Sequence, residues 1–351
     1  IAYEVERNIG VSNIDIKIPN VKIIQRMKGG SFADTLLIEK DNLKFIRKVA
    51  SKRVNLELGY LRLKKQYNQL KRFSSFHSSI VPNLINEEEN SYEYYFDMEY
   101  LDGYKLLSEC NSELSFRSVK YLLETLENKI YLQSAQLSKN NSWLKQHLNN
   151  KIFSKLKIDL YGGILNEILK RDEIVINSKS YLNINIILDN IYEKYCELIS
   201  PKYLCPIHGD LTFENILCKE DFGLDVKLID MDGAEYLDAI ELDMGKMFQS
   251  IFTRYEKWSQ SPEKLVNYSK EGFEIKLFND NDDISRYISL WADVIRHDSD
   301  ILHAKAYFYT ALHLIRMIRF RLKISEDQAT YALLMSIILL DKTLSKLNDI
   351  Y

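Results

Sequence analysis

The sequence predicts a mixed α+β protein with a small antiparallel sheet in its first part and mainly helices in its second part. In the first part, short apolar runs at 21–24, 35–38 and 43–50 alternate with turn residues, which is typical of strands joined by hairpins. In the second part, as over 116–137, apolar residues recur every three or four positions, which is the period of an amphipathic helix. The order of these patterns predicts two lobes of different secondary structure.

The composition is that of a folded protein without a general affinity for polyanions. The chain has 351 residues, of which 46% are hydrophobic, and this is enough for a buried core. Its 47 basic and 50 acidic side chains give a net charge of -3, so we expect no nucleic-acid partner. We also expect no membrane insertion, because no apolar run approaches the roughly 20 residues of a membrane-spanning helix. The chain begins at Ile1 rather than at a methionine, which leaves room for an upstream domain.

The cysteines indicate a reducing compartment. Cys110, Cys196, Cys205 and Cys218 form no C-x-x-C pair and have no histidine at zinc-finger spacing. We therefore expect reduced thiols in a cytoplasmic protein.

Two neighbouring segments, the loop 207–217 and the strand 226–233, carry the side chains that phosphoryl transfer needs. Transfer of a γ-phosphoryl group requires an oriented hydroxyl, a magnesium ion and compensation of the phosphate charges. Asp210 is the candidate base that accepts the hydroxyl proton. Asn215 and Asp230 offer oxygen atoms, the ligands that Mg²⁺ prefers. Each residue alone would also fit an ordinary turn, but the ordered set favours a metal-dependent kinase.

These motifs resemble those of the aminoglycoside phosphotransferase and choline kinase superfamily. The resemblance is carried by His208-Gly-Asp210, Asn215, Ile229-Asp230 and Leu242-Asp-Met-Gly-Lys246. With Phe213-Glu-Asn-Ile-Leu217, the set is also similar to kinases linked to bacterial surface polysaccharide synthesis.

The resemblance implies a bilobal protein-kinase-like fold, ATP as cosubstrate, Mg²⁺ as cofactor and a small-molecule hydroxyl acceptor. It implies a lead-in or linker at 1–20, an N-lobe at 21–98, a hinge at 99–103 and a helical C-lobe at 104–351. The oligomeric state stays open.

The glycine pair at the first predicted turn is a candidate nucleotide-covering loop. Backbone amides at Gly29, Gly30 and Ser31 could cradle phosphates, although a glycine pair between two strands is also a common hairpin. Within the third strand, Lys48 resembles the kinase lysine that contacts the α- and β-phosphates. The alternative is that Arg47 and Lys48 are solvated cations on an edge strand.

A helix is predicted at 53–73 from the spacing of its apolar residues. In the family, this helix supplies a glutamate that pairs with the strand lysine. Here the position is Gln66, whereas Glu57 lies in the first turn. Either side chain is a candidate partner of Lys48.

The strand over 92–98 is followed by Glu99-Tyr-Leu-Asp-Gly103, which resembles the family's hinge. Backbone groups there usually bind the edge of the base, so Glu99 and Leu101 are expected to bind the nucleotide. A strand followed by Asp-Gly is also compatible with a simple turn.

Two further aspartates lie close to the predicted site. In this fold family an aspartate at Asp243 usually braces the catalytic loop through backbone amides, and the alternative is an acidic residue favoured by the helix dipole. Asp232 is either a second neighbour of the metal or a solvated turn residue. His208 is expected to orient the loop rather than to transfer protons.

Residues 252–351 are expected to be helical and are rich in aromatic side chains. Some, such as Tyr255 and Trp258, could line an acceptor pocket, and aromatic rings beside carboxylates would suit a cation. Most are expected to be core, as the helical spacing of Phe308 indicates. His297 and His303 lack a metal-binding constellation.

The leading interpretation is a small-molecule kinase that acts on a sugar or on a sugar-containing precursor of surface polysaccharide. A choline- or aminoglycoside-type kinase of a cationic substrate is an alternative. A protein kinase is another, although no Ala-Pro-Glu motif or long activation segment follows Asp230. A nucleotide-binding pseudokinase that serves as an interaction module is the last.

Overall fold

The structure is a computed structural model, and it describes residues 21–27, 33–52, 59–132, 135–138, 142–157, 159–221, 223–232, 237–278, 284–295 and 299–350. By its internal contacts the chain divides into two compact units. The first comprises the described parts of 1–105 and 217–234, and the second comprises those of 106–216 and 235–351. The predicted mixture of an antiparallel sheet and a mostly helical remainder is confirmed.

The first unit is built on a five-stranded antiparallel sheet. Its strands are β1 (Lys22–Met27), β2 (Asp34–Lys40), β3 (Leu43–Ser51), β4 (Leu84–Glu89) and β5 (Glu93–Glu99), in the spatial order β1-β2-β3-β5-β4. The pairing Lys48↔Phe96 places β3 against β5. β3 is therefore the central strand of the sheet.

One helix, α1 (Tyr60–Phe76), covers this sheet. Its apolar stripe of Leu63, Tyr67, Leu70 and Phe73 is buried, and the Tyr67 and Phe96 ring centroids lie 5.3 Å apart. The helix begins later than the predicted 53–73 and extends three residues further; 53–58 lie outside the described residues. A hairpin of Ile216–Glu220 and Leu224–Leu228 follows later in the chain, and Lys227 Nζ donates to the carbonyl of Ser79, 2.7 Å away.

The second unit is mainly helical. Its described α-helices are Ser112–Leu126, Ser142–His147, Gly163–Lys170, Ile184–Ile199, Ile240–Thr253, Tyr255–Trp258, Ile284–Ile295, Ser299–Leu322 and Glu326–Ile350. Two of these helices have wider π-helical continuations, Glu127–Tyr131 and Leu148–Ile152, and Leu107–Glu109, Phe153–Lys155 and Phe213–Asn215 are 3₁₀ turns. No described helix combines the length and the apolar character that a membrane crossing requires.

Helices Ile240–Thr253 and Ser299–Leu322 cross closely in the core of this unit. A Cβ atom at Gly245 would lie 2.7 Å from the backbone carbon of Tyr309, so only glycine allows this approach. At the same crossing, Thr310 Oγ1 donates to the Gly245 carbonyl at 3.2 Å. The crossing fixes the helix that holds the candidate catalytic loop.

Short strands interrupt the helical unit, and the expectation of helix over 116–137 and 252–351 was partly wrong. Gln136–Leu137 is a strand that pairs with Tyr203–Cys205, which in turn pairs with Asp238–Ala239.

Two hairpins form a further sheet of four strands. Its strands are Glu173–Ile176, Lys179–Leu182, Val266–Ser269 and Gly272–Ile275. Asn177 and Ser178 both have positive φ, 48° and 64°, as a tight two-residue hairpin turn requires. Strands of four residues carry too little periodicity to be separated from helix by pattern alone.

Candidate active site

In the first unit, Lys48 lies inside the sheet with two polar partners. The residue is only 5% exposed, its Nζ donates to Gln66 Oε1 at 3.2 Å, and it forms an ion pair with Asp230. The interpretation of Lys48 and Arg47 as solvated edge-strand cations is wrong, because both are buried on the central strand. Gln66 is therefore a partner of Lys48, and Glu57 lies outside the described residues.

Asp230 follows the strand Leu224–Leu228 and has a left-handed backbone with φ of 57°. Gln66 Nε2 donates to the carbonyl of the next residue, Met231, at 3.3 Å, so this glutamine contacts both Lys48 and the segment that carries Asp230. Burial lowers the pKa of Lys48, and the adjacent carboxylate favours the ammonium form and opposes this shift.

In the second unit, Asp210 lies in the loop that precedes the 3₁₀ turn Phe213–Asn215. Its Oδ1 is 2.8 Å from Lys246 Nζ, and Asn215 Nδ2 donates to its carbonyl at 2.8 Å and to its Oδ2 at 3.0 Å. Burial acts to raise the pKa of Asp210, but Lys246, His208 and Asn215 together bring it below its ordinary value. The carboxylate is thus held ionised and in one orientation.

Asp243 braces this loop. Its carboxylate accepts hydrogen bonds from the backbone N–H groups of His208 at 2.8 Å and Gly209 at 2.7 Å, and from the Tyr131 hydroxyl at 2.9 Å. Burial raises the pKa of Asp243 to about 6, and these hydrogen bonds oppose the shift. The predicted brace is confirmed.

His208 is fully buried and supports the loop from within. Its Nδ1 accepts a hydrogen bond from the backbone N–H of Asp210 at 3.2 Å. This contact agrees with the expected orienting function.

Two polar side chains around Asp210, those of Lys246 and Ser250, were given no function from the sequence. Lys246 pairs with Asp210, Ser250 Oγ accepts from the backbone N–H of Phe213 at 3.0 Å, and Ser250 donates to Glu256 Oε1 at 2.5 Å. Lys246 follows Asp243 by three positions on one helix, which places both on the same face, and this signal could have been used.

In segment 99–103, the predicted hinge, two backbone groups are already hydrogen-bonded within the protein. The N–H of Glu99 donates to the carbonyl of Asn83 at 2.9 Å, and the carbonyl of Leu101 accepts from Tyr104 N–H at 3.4 Å. The N–H of Leu101 has no acceptor among the residues that the structure describes. Gly103 has φ of 77°, which glycine adopts readily. Nucleotide contacts of Glu99 and Leu101 stay predictions, and Gly29, Gly30 and Ser31 lie outside the described residues.

The remaining candidates divide into core and surface. Trp258, Trp291, Phe308 and Tyr309 are fully buried and therefore belong to the core, whereas Tyr255 is half-buried. His303 stacks on Tyr307 with centroids 4.9 Å apart, and His297 lies outside the described residues. Asp232 lies 3.8 Å from Arg62, and neither interpretation of it is tested.

Comparison with known proteins identifies the fold. No protein-family model and no curated protein sequence matches the chain. Among solved structures, a candidate fructosamine-3-kinase from Haemophilus somnus 129PT matches with a TM-score of 0.54 and 13% identity over 92% of each chain. A thermostable mutant of aminoglycoside phosphotransferase APH(4)-Ia in a ternary complex with AMP-PNP and hygromycin B matches with a TM-score of 0.56 and 10% identity, over 93% of this chain and 95% of that one. The chain therefore has the protein-kinase-like fold of these phosphotransferases, as the sequence motifs implied.

Proposed function

We propose that this protein, which shares the fold of the aminoglycoside phosphotransferases, is an ATP-dependent kinase of a small molecule. It moves the γ-phosphoryl group to a hydroxyl of a sugar or of a sugar-containing precursor of surface polysaccharide. The observation that carries this proposal is the state of Asp210, a half-buried carboxylate that Lys246 and Asn215 hold ionised in a braced loop.

Asp210 acts as the base. As the acceptor oxygen forms its bond to the γ-phosphorus, the bond between that phosphorus and the β,γ-bridging oxygen of ATP breaks, and the hydroxyl proton passes to Asp210. Lys246 keeps Asp210 ionised before the transfer and binds its Oδ1. Asn215 Nδ2 binds the other oxygen, Oδ2. The products are ADP and a phosphate ester.

We assign the binding of the nucleotide phosphates and their metal ion to Asn215, Asp230 and Lys48. The amide nitrogen of Asn215 is engaged with Asp210, which leaves its oxygen as a neutral ligand, and Asp230 adds a carboxylate. Oxygens of these two kinds are ligands that Mg²⁺ prefers, and Mg²⁺ usually takes only one or two side chains from a protein together with substrate phosphates. When bound, the ion neutralises charge that develops on the phosphoryl group. Lys48, with Gly29, Gly30, Ser31, Glu99 and Leu101, contacts the nucleotide.

ATP as the phosphoryl donor is supported by the AMP-PNP in the complex of the similar phosphotransferase. Cys110, Cys196, Cys205 and Cys218 form no disulfide with one another, which suits the cytoplasm, where thiols stay reduced.

A cationic acceptor of the choline or aminoglycoside type is the second candidate, and Glu214 and Glu256 favour it. Burial raises the pKa of Glu214 to about 7, and the charges of Glu256 and Asp210 act in the same direction. A positive group on the acceptor would offset this crowding of carboxylates.

The test is an ATP-consumption screen of the purified protein with sugars, amino sugars, aminoglycosides, choline and nucleosides. We expect turnover with one class, and Asp210→Asn should lower it by at least roughly 10²-fold while nucleotide binding survives. Asp221→Asn, a matched change at an exposed aspartate, should retain full activity.

The outcomes separate the candidates. Turnover with neutral sugars supports the leading proposal, and turnover confined to choline or aminoglycosides supports the second. Phosphate transfer to protein but to no metabolite would indicate a protein kinase. Tight nucleotide binding without turnover would indicate a pseudokinase, and either result overturns the proposal.

A further inference from the structure

The candidate catalytic loop is anchored at both ends to a single helix, Ile240–Thr253. At the start of helix Ile240–Thr253, Asp243 holds the backbone N–H groups of His208 and Gly209. At the other end, Ser250 Oγ accepts from the backbone N–H of Phe213 at 3.0 Å. Along the chain, the first anchor precedes Asp210 and the second anchor follows it.

Ser250 does not act alone. Its hydroxyl donates to Glu256 Oε1 at 2.5 Å, just beyond the end of the helix. Burial raises the pKa of Glu256, and hydrogen bonds from the Ser250 hydroxyl and from the backbone N–H groups of Phe213 and Glu214 oppose this shift. Because Ser250 is 1% exposed, its hydroxyl is hydrogen-bonded to the Phe213 N–H and to Glu256 rather than to water.

The anchored backbone begins the 3₁₀ turn Phe213–Asn215. The first N–H groups of any helical turn lack partners within the turn, so an outside acceptor fixes its position. Asn215 ends this turn, and its Nδ2 donates to the carbonyl and to Oδ2 of Asp210, at 2.8 and 3.0 Å. A displacement of the turn would therefore move the Asn215 side chain and, with it, the Asp210 carboxylate.

We infer that Ser250 and Glu256 are positioning residues of the catalytic loop, which set the orientation of Asp210 and Asn215 without touching the substrates. The inference rests on the proposed function. A misplacement of about 1 Å in a reacting group costs on the order of 10²-fold in rate, so the loss should appear in kcat. The KM for the acceptor should change little, whereas the nucleotide KM can rise modestly, because Asn215 ends the anchored turn and is assigned to the metal ion at the phosphates.

The test compares Ser250→Ala with Ser336→Ala. Ser336 is also a fully buried helical serine, and its hydroxyl donates to the carbonyl of Ala332 at 2.7 Å, so the same atoms are removed. With the acceptor found in the screen, we expect Ser250→Ala to lower kcat by about 10- to 100-fold with the acceptor KM within about twofold of wild type. Ser336→Ala should keep the wild-type kcat.

Glu256→Gln gives a second variant that keeps an oxygen able to accept from Ser250. It should retain more activity than Glu256→Ala, which removes the acceptor altogether. Amide hydrogen exchange should accelerate in the peptide 211–217 of Ser250→Ala and Glu256→Ala, while exchange in helix Glu326–Ile350 stays as in the wild type.

Three results overturn the inference: a Ser250→Ala enzyme with wild-type kcat, a loss that lies only in KM, or unchanged exchange in 211–217. If the wild type itself turns over no acceptor, the proposed function fails. The exchange measurement would then still decide whether Ser250 and Glu256 hold the loop.

Discussion

Asp243 Oδ1 accepts a hydrogen bond from the backbone N–H of Gly209 at 2.7 Å, and the other oxygen of the same carboxylate binds the N–H of His208 at 2.8 Å. Gly209 has φ of 82°, a left-handed conformation that glycine adopts without strain. One carboxylate can reach two consecutive amides because the chain turns here. This turn therefore sets the orientation of the next residue, Asp210.

Asp243→Asn should lower both activity and stability. An amide has one accepting oxygen, and its NH₂ group would face a backbone donor, so one buried N–H would lose its acceptor at a cost of about 1–3 kcal/mol. The displaced turn should also reduce kcat by about 10²-fold. Urea unfolding and steady-state kinetics measure the two effects.

Tyr131→Phe is the control for that variant. It removes only the hydroxyl that donates to Asp243 at 2.9 Å and leaves both backbone contacts. The expected loss of stability is about 0.5–1.5 kcal/mol, with a smaller effect on kcat. An equal or larger kinetic effect of Tyr131→Phe would contradict the brace.

Lys48→Ala should weaken the use of nucleotide. Lys48 is 5% exposed and pairs with Asp230 and Gln66, so its removal takes away the cation assigned to the phosphates and leaves Asp230 without its partner. We expect kcat/KM for ATP to fall by at least about 10²-fold, a loss of roughly 2.7 kcal/mol in transition-state stabilisation. Lys44→Ala, on the exposed start of the same strand, should change kcat/KM by less than about twofold. Equal effects of the two variants would remove Lys48 from the site.

The sequence predicted the sheet and the polar residues of the candidate loop because both depend on local pattern. Strand β3, its lysine and the loop around Asp210 each carry their signal within about ten residues. The Asp243 brace was also foreseen, though only as one of two alternatives.

The parts that were missed depend on contacts between distant segments. The hairpin strands Glu173–Ile176 and Gly272–Ile275 adjoin through the pair Ile176↔Phe273, which are separated by nearly a hundred positions. Ser250 and Glu256 acquire their role only when a helix end meets the loop at Phe213. No local periodicity encodes such a meeting.

The buried ion pair of Arg47 and Asp97 should stabilise the first unit. A double-mutant cycle measures the coupling free energy of the two side chains. Arg47 Nε and Nη2 donate to the two Asp97 oxygens at 2.6 and 2.7 Å, and the guanidinium lies 3.8 Å from the Tyr95 ring centroid. Asp97→Ala should cost about 3–5 kcal/mol, because it leaves a buried charge without its partner.

The double variant Arg47→Met/Asp97→Leu should recover most of that loss, since both charges are then removed together. Chemical unfolding of the wild type, Arg47→Met, Asp97→Leu and the double variant measures the coupling. Additive losses would show that the two side chains act independently.

His147 gives the second unit a stability that depends on pH. Its ring stacks on Trp143 with centroids 4.7 Å apart, and its Nε2 has no hydrogen-bond partner among the described residues. Burial lowers the pKa of His147 to about 3, and the nearby charges of Arg316 and Lys151 act in the same direction. Burial also lowers the pKa of His313, and the charge of His147 acts in the same direction.

His147→Phe should make the free energy of unfolding less sensitive to acid. Between about pH 6.5, where an unfolded histidine gains its proton, and about pH 3, where the folded one does, the unfolded chain binds more protons, so the wild type loses stability as pH falls. Phenylalanine keeps a ring to stack on Trp143 but cannot titrate. Urea unfolding at pH 7 and pH 5 should show a smaller drop for the variant, although not a zero drop, because His313 contributes in the same direction. An identical drop in both proteins would mean that His147 is protonated in the folded chain at pH 5.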